Sequence, residues 1–258
     1  MKDLKTRALA GVIGLILLIF IVLKGELYLS ISLCIVSIIG LWEFYKALNN
    51  INIKPINYIG YIGAIGIFLT NVFQNISIGS VLYLVTAILL IILLLNKKVS
   101  IIDVASTILG VIYIPFFLSH IYKLDGMIYI WLVFLIAFGT DTFAYLIGNL
   151  FGKHKLSPKI SPNKTKEGAI GGILGSFFIT LIFGYFAEVD PLWKLLILSI
   201  IASIVSQAGD LVASRIKRLA KIKDYGFIIP GHGGILDRFD SIIFCAPLIY
   251  YYVIYILI

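Results

Sequence analysis

The stretch ALAGVIGLILLIFIVL, residues 8–23, contains no charged residue and covers most of a membrane crossing. A helix that spans the hydrocarbon of a bilayer needs roughly 17 to 25 apolar residues. Lys2, Lys5 and Arg7 precede this stretch, as they would in a signal peptide, but no small-residue cleavage site follows and a second apolar run begins almost at once. The sequence therefore predicts a retained first membrane-spanning helix.

Eight further segments share this apolar character. Hydrophobic residues make up 60% of the 258 residues and charged residues only 13%, about half the charged share of a soluble domain. The predicted spans run at about 8–23, 26–42, 57–73, 81–95, 104–121, 127–150, 168–188, 192–213 and 235–258. We therefore predict an all-α polytopic integral membrane protein with about nine transmembrane helices. Residues 1–258 form one predicted membrane domain, in which 1–126 carry little chemistry and 127–258 hold the candidate catalytic spans and cytoplasmic loops.

The basic residues predict the orientation of these spans, because Lys and Arg accumulate on the cytoplasmic side of a membrane protein. With nine alternating spans and the N-terminus inside, all but three of the 21 Lys and Arg residues fall on the cytoplasmic side, the exceptions being Lys24, Lys123 and Lys194. Orientation alone is a sufficient explanation for the lysines of the first loops. The formal net charge of +8 is then concentrated where it can meet anionic lipid headgroups, and we expect no nucleic-acid partner.

Asp141 in FGTDTFAYLIGNLFGK and Asp210 in SQAGDLVASRIKR are carboxylates inside predicted spans. A carboxylate in the hydrocarbon costs about 2.5 to 3.5 kcal/mol on insertion scales and is kept there mostly for function. Ser214, Lys217 and Arg218 follow Asp210 at helical spacing and form one polar stripe with it. An ion pair of Asp210 with Lys217 or Arg218 is the structural alternative, since a buried ion pair is weak support for any role.

A second polar stretch, LAKIKDYGFIIPGHGGILDRFDS at 219–241, leads into the last predicted span. Gly233 and Gly234 allow backbone conformations in which N–H groups turn toward a ligand. A helix N-terminus that follows such glycines is a ready site for phosphate. Lys223 and Arg238 add positive charge to this region. The stretch therefore predicts an anion-binding turn.

Asp237 and Asp240, three residues apart, lie on one face of the first turns of the last predicted helix. Mg²⁺ is usually held by one or two carboxylates together with substrate phosphates. With the anion-binding turn, these residues predict a site for a metal-bound polyphosphate at the cytoplasmic edge of the membrane. The alternative for Asp237 is a cap favoured by the helix dipole, and for His232 a loop histidine bonded to the backbone.

The loop KHKLSPKISPNKTKEGAIGGILGS, residues 153–176, is a second basic cluster. Lys164 and Lys166 are its candidates for contact with a phosphate. The glycines that follow, at 168, 171, 172 and 175, are explained by close helix packing of the small-xxx-small type.

The chain resembles the phosphatidate cytidylyltransferases, also called CDP-diacylglycerol synthases. DTFAYLIGNLFGK, SPNKTKEGAIGG and QAGDLVAS occur in the family's order, and a longer signature follows without departure. The signature residues are Ser214, Ile216, Lys217, Arg218, Lys223, Asp224, Gly226, Ile229, Pro230, His232, Gly233, Gly234, Ile235, Asp237, Arg238, Phe239 and Asp240. The first 130 residues resemble the family only as hydrophobic spans.

The resemblance implies transfer of a cytidylyl group from CTP to phosphatidate for phospholipid biosynthesis. A phosphate oxygen of phosphatidate attacks the α-phosphorus of CTP, and pyrophosphate leaves. The resemblance further implies a multi-pass protein of the cell inner (cytoplasmic) membrane, with the active site facing the cytoplasm, and suggests a homodimer. Mg²⁺ is the expected cofactor, alone or with a second metal or a monovalent cation.

Carried over position by position, the family's metal-binding carboxylates fall on Asp210 and Asp237, with Asp240 and Asp141 as further candidates. We expect these four side chains to be the metal ligands and expect Asp141, Asp210 and Asp237 to group around one ion site. The expected catalytic residues are Asp210, Asp237, Lys217, Arg218, Lys223 and Arg238. The expected substrate-binding residues are Lys164, Lys166, Ser214, His232, Gly233 and Gly234.

Two other readings compete with this one. A transporter for an anionic substrate also uses acidic residues inside the membrane. Such a transporter should have polar breaks near the bilayer midplane in both halves of the chain. Spans one to five lack such breaks. A CTP-using lipid kinase or a synthase acting on ether lipids is a closer rival, since the same site residues would serve it.

Overall fold

A computed structural model of the protein describes residues 2–73, 75–228 and 233–258, with side chains described from residue 11 onward. Helical segments dominate the described chain and join through short connections. They are α1 (Lys2–Lys24), α2 (Glu26–Asn49), α3 (Asn57–Leu69), α4 (Ile78–Leu95), α5 (Ile101–Val111), α6 (Phe117–Tyr122), α7 (Ile130–Phe151), α8 (Lys166–Phe186), α9 (Leu192–Leu219) and α10 (Leu236–Tyr252).

Each of the nine predicted spans lies on one of these segments, with α5 and α6 sharing the fifth. Within the described residues, seven helical segments are long and apolar enough to cross a membrane. They are Glu26–Asn49, Ile78–Leu95, Ile101–Tyr122, Ile130–Phe151, Lys166–Phe186, Leu192–Leu219 and Leu236–Leu257. Shorter apolar helices occupy Gly11–Lys24 and Asn57–Leu69. The all-α membrane fold is confirmed, while the count of nine crossings and the side of the N-terminus stay predictions.

The outer surface of α4 illustrates why these helices need lipid around them. Its mean hydropathy is 2.9, and Leu94 and Leu95 expose 81% and 77% of their surface. In water, contiguous exposed apolar surface of this kind drives association. In a bilayer, the same side chains contact acyl chains without cost, so the chain is a multi-pass membrane protein.

A π-helical stretch, Ile112–Phe116, separates α5 from α6 and contains Pro115. Proline lacks a backbone N–H, so it removes one hydrogen bond of the helix, and its ring crowds the preceding turn. A single wider turn accommodates this loss without ending the helix. The fifth span therefore continues from Ile101 to Tyr122.

A short β-hairpin precedes α8, where the sequence predicted only a loop. Strand β1 (Lys155–Ser157) pairs antiparallel with strand β2 (Ser161–Thr165). The backbone N–H of Lys166 donates to the carbonyl of His154 (2.8 Å), and Thr165 Oγ1 accepts from the N–H of Gly168 (3.1 Å), which caps α8. The hairpin therefore holds the basic loop as an ordered extension of α8.

The chain divides into two compact units, Met1–Asp125 with Leu219–Arg238, and Gly126–Arg218 with Phe239–Ile258. The dividing point near residue 126 is close to the subdivision that the sequence suggested, but the segment from Leu219 to Arg238 groups with the N-terminal helices. The prediction of a single membrane domain stays a prediction.

In the first unit, the core includes a cluster of aliphatic residues from α3, α4, α5 and the segment before α3. Its buried members are Ile56, Ile59, Ile67, Val85, Leu89, Val104 and Val111. These positions recur at helical spacing, so each helix turns one apolar stripe inward.

In the second unit, α7 and α8 pack closely through the glycines of α8. A methyl group at Gly171 would lie 2.5 Å from Ile147 Cβ, and one at Gly175 would lie 2.1 Å from Phe143 Cγ. Both distances are far below van der Waals contact, so only glycine allows this approach. Close packing thus accounts for these glycines, as the small-residue interpretation expected.

Candidate active site

The second unit brings three carboxylates together. Asp141 lies on α7, Asp210 on α9 and Asp240 on α10. The Asp240 residue is only 7% exposed, and its charged neighbours are Asp210, Lys217 and Asp141. Like charges held together in a poorly solvated place repel one another, so this cluster needs cations near it. We refer to these three aspartates as the acidic cluster.

Lysines supply positive charge to the acidic cluster. The ammonium of Lys164, on strand β2, forms an ion pair and a hydrogen bond with Asp210 Oδ2. Lys217, near the end of α9, is buried, and its positive charge attracts the Asp240 carboxylate. Since the lysines come from the hairpin and from α9, one charged cluster joins elements far apart in sequence. It contains three of the expected metal ligands and two of the expected cationic residues.

Serine hydroxyls orient the carboxylates. Ser214 Oγ donates to Asp210 Oδ1 at 3.3 Å, one helical turn along α9. Ser241 Oγ donates to Asp141 Oδ2 at 3.2 Å, and the Ser241 N–H donates to Asp240 Oδ1 at 2.8 Å. The structure thus places Ser214 against an expected metal ligand, and it gives Ser241 a contact that the sequence did not suggest.

The close approach of α9 and α10 in this region depends on Gly209. A methyl group there would lie 2.7 Å from the Asp240 carbonyl and 2.8 Å from Phe244 Cβ. Glycine at 209 lets the backbone of α9 approach α10, and the neighbouring Asp210 and Asp240 approach with it. In the stretch AGD, residues 208–210, the glycine is needed for helix packing and the next residue supplies the charged side chain.

Asp237 lies in the first unit, and its carboxylate orders the backbone around it. Asp237 Oδ2 accepts hydrogen bonds from the N–H of Tyr225 (2.9 Å) and the N–H of Gly234 (3.0 Å). Gly233, with φ +88°, adopts the left-handed backbone conformation that favours glycine. The Gly234 amide therefore serves Asp237 in this structure. The expected roles of Asp237, Gly233 and Gly234 toward metal and phosphate stay predictions.

The other expected site residues lie on the surface of their units or outside the described chain. Lys166, Arg218, Lys223 and Arg238 are exposed. Arg218 Nε donates to the carbonyl of Ile160 at 3.3 Å, which connects α9 to the hairpin. His232 lies outside the described residues.

Glu43, toward the end of α2, is completely buried, and no motif in the sequence pointed to it. Glu43 Oε1 accepts from the N–H of Ile235 (3.0 Å), and Oε2 accepts from the N–H of Leu236 (2.8 Å), the first residue of α10. An acidic residue in the apolar stretch LWEFY was the available signal, but it stands next to a predicted span boundary. The prediction that residues 1–126 carry little chemistry therefore overlooked a buried carboxylate.

The ligand chemistry of the acidic cluster suits a hard cation, because carboxylate and hydroxyl oxygens are the donors that Mg²⁺ prefers. Within 2–73, 75–228 and 233–258, no group of three or more His, Cys, Asp or Glu side chains is arranged to hold a metal ion by itself. Mg²⁺ sites that include substrate phosphates need only one or two protein carboxylates. The donor set fits such a shared site rather than a complete protein cage.

Comparison with known proteins places this chain in a family. The model of the Cytidylyltransferase family matches residues 5–256. Proteins named phosphatidate cytidylyltransferase from Staphylococcus saprophyticus and Staphylococcus aureus are 38% and 40% identical to the chain over 257 residues, and each alignment covers 95% of the chain and 97% of the relative. The protein of the same name from Staphylococcus haemolyticus is 38% identical over the same length. The chain therefore belongs to the Cytidylyltransferase family.

Proposed function

We propose that the protein transfers the cytidylyl group of CTP to phosphatidate, releasing pyrophosphate and forming CDP-diacylglycerol for phospholipid biosynthesis. The observation that carries the proposal is the acidic cluster on α7, α9 and α10 with its two lysines, in a chain that matches the Cytidylyltransferase family over residues 5–256. Apolar helices give a lipid substrate access to the cluster, and cations would neutralise charge on a triphosphate.

Asp210 and Asp240 are the proposed ligands of Mg²⁺, and Asp141 supports them from α7. Bound Mg²⁺ would neutralise charge on the phosphate oxygens of CTP. The cluster holds three carboxylates and two lysines, and a divalent cation would offset the repulsion among its carboxylates when they are ionised. Asp237 remains a predicted ligand that the experiment below tests separately.

Lys164 and Lys217 are the proposed contacts for the triphosphate and for the phosphate of the lipid. The attacking phosphate oxygen is already anionic near neutral pH, so the reaction needs little general-base catalysis. Its main requirements are alignment of the two substrates and stabilisation of negative charge. Arg218, Lys223 and Arg238 are exposed cations that would attract CTP from solution.

We further propose that the protein lies in the cytoplasmic membrane with its site facing the cytoplasm, where CTP is found. The distribution of Lys and Arg supports this orientation. A homodimer is part of the proposal only by the family resemblance, and the mass of the protein–detergent complex would test it.

The decisive experiment measures pyrophosphate release and CDP-diacylglycerol formation by the purified protein in detergent with phosphatidate, CTP and Mg²⁺. We expect both products to require both substrates, and we expect Asp210→Asn and Asp237→Asn to abolish them. Asp190→Asn, the same change at an exposed residue between α8 and α9, should retain wild-type activity. A wild-type protein that is inactive with phosphatidates of varied chain length would overturn the proposal, as would product formation from ether lipids alone.

A further inference from the structure

Glu43 is a buried acid that the proposed reaction does not use directly. It is completely buried, and its two carboxylate oxygens accept from the consecutive amides of Ile235 and Leu236 at 3.0 and 2.8 Å. These amides belong to the start of α10, where the helix has no backbone acceptor for them. The positive end of the helix dipole also favours a carboxylate there. Glu43 therefore caps α10 from a helix almost 200 residues earlier in the chain.

Two glycines make room for the Glu43 carboxylate. A methyl group at Gly226 would lie 2.4 Å from Glu43 Oε1, and one at Gly234 would lie 2.3 Å from the same atom. The backbone at Gly226 and at Gly234 therefore lies directly against the carboxylate. Gly226 and Gly234 both lie in the signature stretch, so this close approach gives them a structural reason that is separate from phosphate binding.

Backbone amides next to these contacts also bind the Asp237 carboxylate. The Gly234 N–H, next to the Ile235 amide bound by Glu43, donates to Asp237 Oδ2 at 3.0 Å, and the Tyr225 N–H donates to the same oxygen at 2.9 Å. Asp237 is the second residue of α10, which Glu43 caps. The position of the Asp237 carboxylate thus depends on backbone that Glu43 holds in place.

We propose that Glu43 is a positioning residue for cytidylyl transfer, whose carboxylate fixes the start of α10 and thereby the orientation of Asp237. This inference rests on the proposed function and on the predicted role of Asp237. Glu43 acts through the backbone amides and does not contact a substrate. The rate of a reaction falls steeply when a group in the active site is displaced. Loss of the Glu43 carboxylate should therefore lower kcat.

The test compares Glu43→Gln with Glu26→Gln, the same chemical change at an exposed residue of the same helix. Glutamine keeps the size of Glu43 but leaves one carbonyl oxygen for two N–H donors. We expect kcat to fall about 10- to 100-fold, as it does when a reacting group is displaced by about 1 Å. The KM values for CTP and phosphatidate should stay within about threefold of wild type, because ground-state binding is retained. Glu26→Gln should match the wild type.

Gly226→Ala provides an independent route to the same defect, because its methyl group would displace the Glu43 carboxylate without changing its charge. It should also lower kcat with little change in KM, and it carries the test if Glu43→Gln does not fold. Amide hydrogen exchange of a peptide covering 233–244 should accelerate in both variants, while a peptide from 176–186 in α8 should exchange as in the wild type.

Faster exchange at 233–244 with wild-type kcat would overturn the inference, since it would reduce Glu43 to a contribution to stability. Wild-type exchange in both variants would overturn it as well, because Glu43 would then not hold α10. A wild-type protein that makes no CDP-diacylglycerol would instead refute the proposed function, and the exchange data would still report on the cap.

Discussion

Lys164 donates a hydrogen bond to Asp210 and forms an ion pair with it, which ties the β-hairpin to helix α9 across 46 residues of sequence. The side chains are 28% and 23% exposed, so solvent screens this pair less than a pair on an open surface. The pair brings a residue from a basic loop to an acid in an apolar helix. It supplies part of the positive charge beside the acidic cluster.

Replacing Lys164 by methionine should lower kcat/KM for CTP roughly 10- to 100-fold, the equivalent of one charged hydrogen bond at about 1.5 to 3 kcal/mol. Lys164→Arg keeps the charge and should lose less. The measurement is the steady-state rate of pyrophosphate release at varied CTP. Lys159→Met, at an exposed lysine of the same hairpin, is the control. Equal losses in Lys159→Met and Lys164→Met would contradict a specific role for Lys164.

Asp240→Asn should lower the activity of the protein without lowering its stability. Asp240 is buried beside two other carboxylates, so removing its charge relieves repulsion, and the variant should unfold at the same temperature as the wild type or higher. Activity should fall by about 100-fold, as when one preorganised electrostatic group is removed from an active site. Thermal unfolding in detergent and pyrophosphate release test the two halves of this prediction. A less stable variant with normal activity would show that Asp240 is structural.

Gly175→Ala should destabilise the packing of α7 on α8. The added methyl group would lie 2.1 Å from Phe143 Cγ, so the ring or the helices must move. Overpacking of this kind typically costs about 1 to 3 kcal/mol. Gly14→Ala is the matched control, because a methyl group at Gly14 in α1 meets nothing within 4 Å. Thermal unfolding in one detergent compares the two, and equal unfolding temperatures would refute close packing at Gly175.

Removal of divalent cations should abolish pyrophosphate release, and added Mg²⁺ should restore it. The reason is that a divalent cation would offset repulsion among the carboxylates of the acidic cluster and the negative charge of the triphosphate. Titration of Mg²⁺ into chelator-treated protein measures the dependence. The Mg²⁺ concentration for half-maximal activity should stay constant in Asp190→Asn. Full activity in excess chelator would contradict the proposed cofactor.

The predicted orientation places the hairpin inside the cell and the connection between α8 and α9 outside. Lys159→Cys and Glu188→Cys, each introduced separately into a Cys34→Ala protein, test this by reaction with a membrane-impermeant maleimide. Cys245 is buried and can stay. The cysteine at 188 should react in intact cells, and the one at 159 only after permeabilisation. The reverse pattern would invert the proposed topology.

Several features of the fold could be predicted from local sequence. Every predicted span coincides with a helical segment, because apolar runs of this length have few alternatives in a membrane, where each backbone polar group must be bonded within its own helix. The hairpin was not predicted, since its pairing of β1 with β2 depends on a turn in a polar, proline-containing loop that carries no clear periodic signal.

The candidate site shows the same division between local and distant information. The spacing of Asp210, Ser214 and Lys217 identified one helix face, and the hydrogen bond from Ser214 to Asp210 follows from that spacing. The partner of Asp210, however, is Lys164 from the hairpin. Several basic residues were available in nearby loops, and their charge alone does not select one.

By itself, the sequence determined the membrane environment, the helical segments and the family signature, because composition, apolar length and motif order are properties of the linear chain. Tertiary structure alone decided that Lys164 pairs with Asp210 and that Glu43 caps α10. The physical reason is that hydrogen bonds and ion pairs act over a few ångströms. Their partners are therefore chosen by helix packing, which brings together residues that can be almost 200 positions apart in the chain.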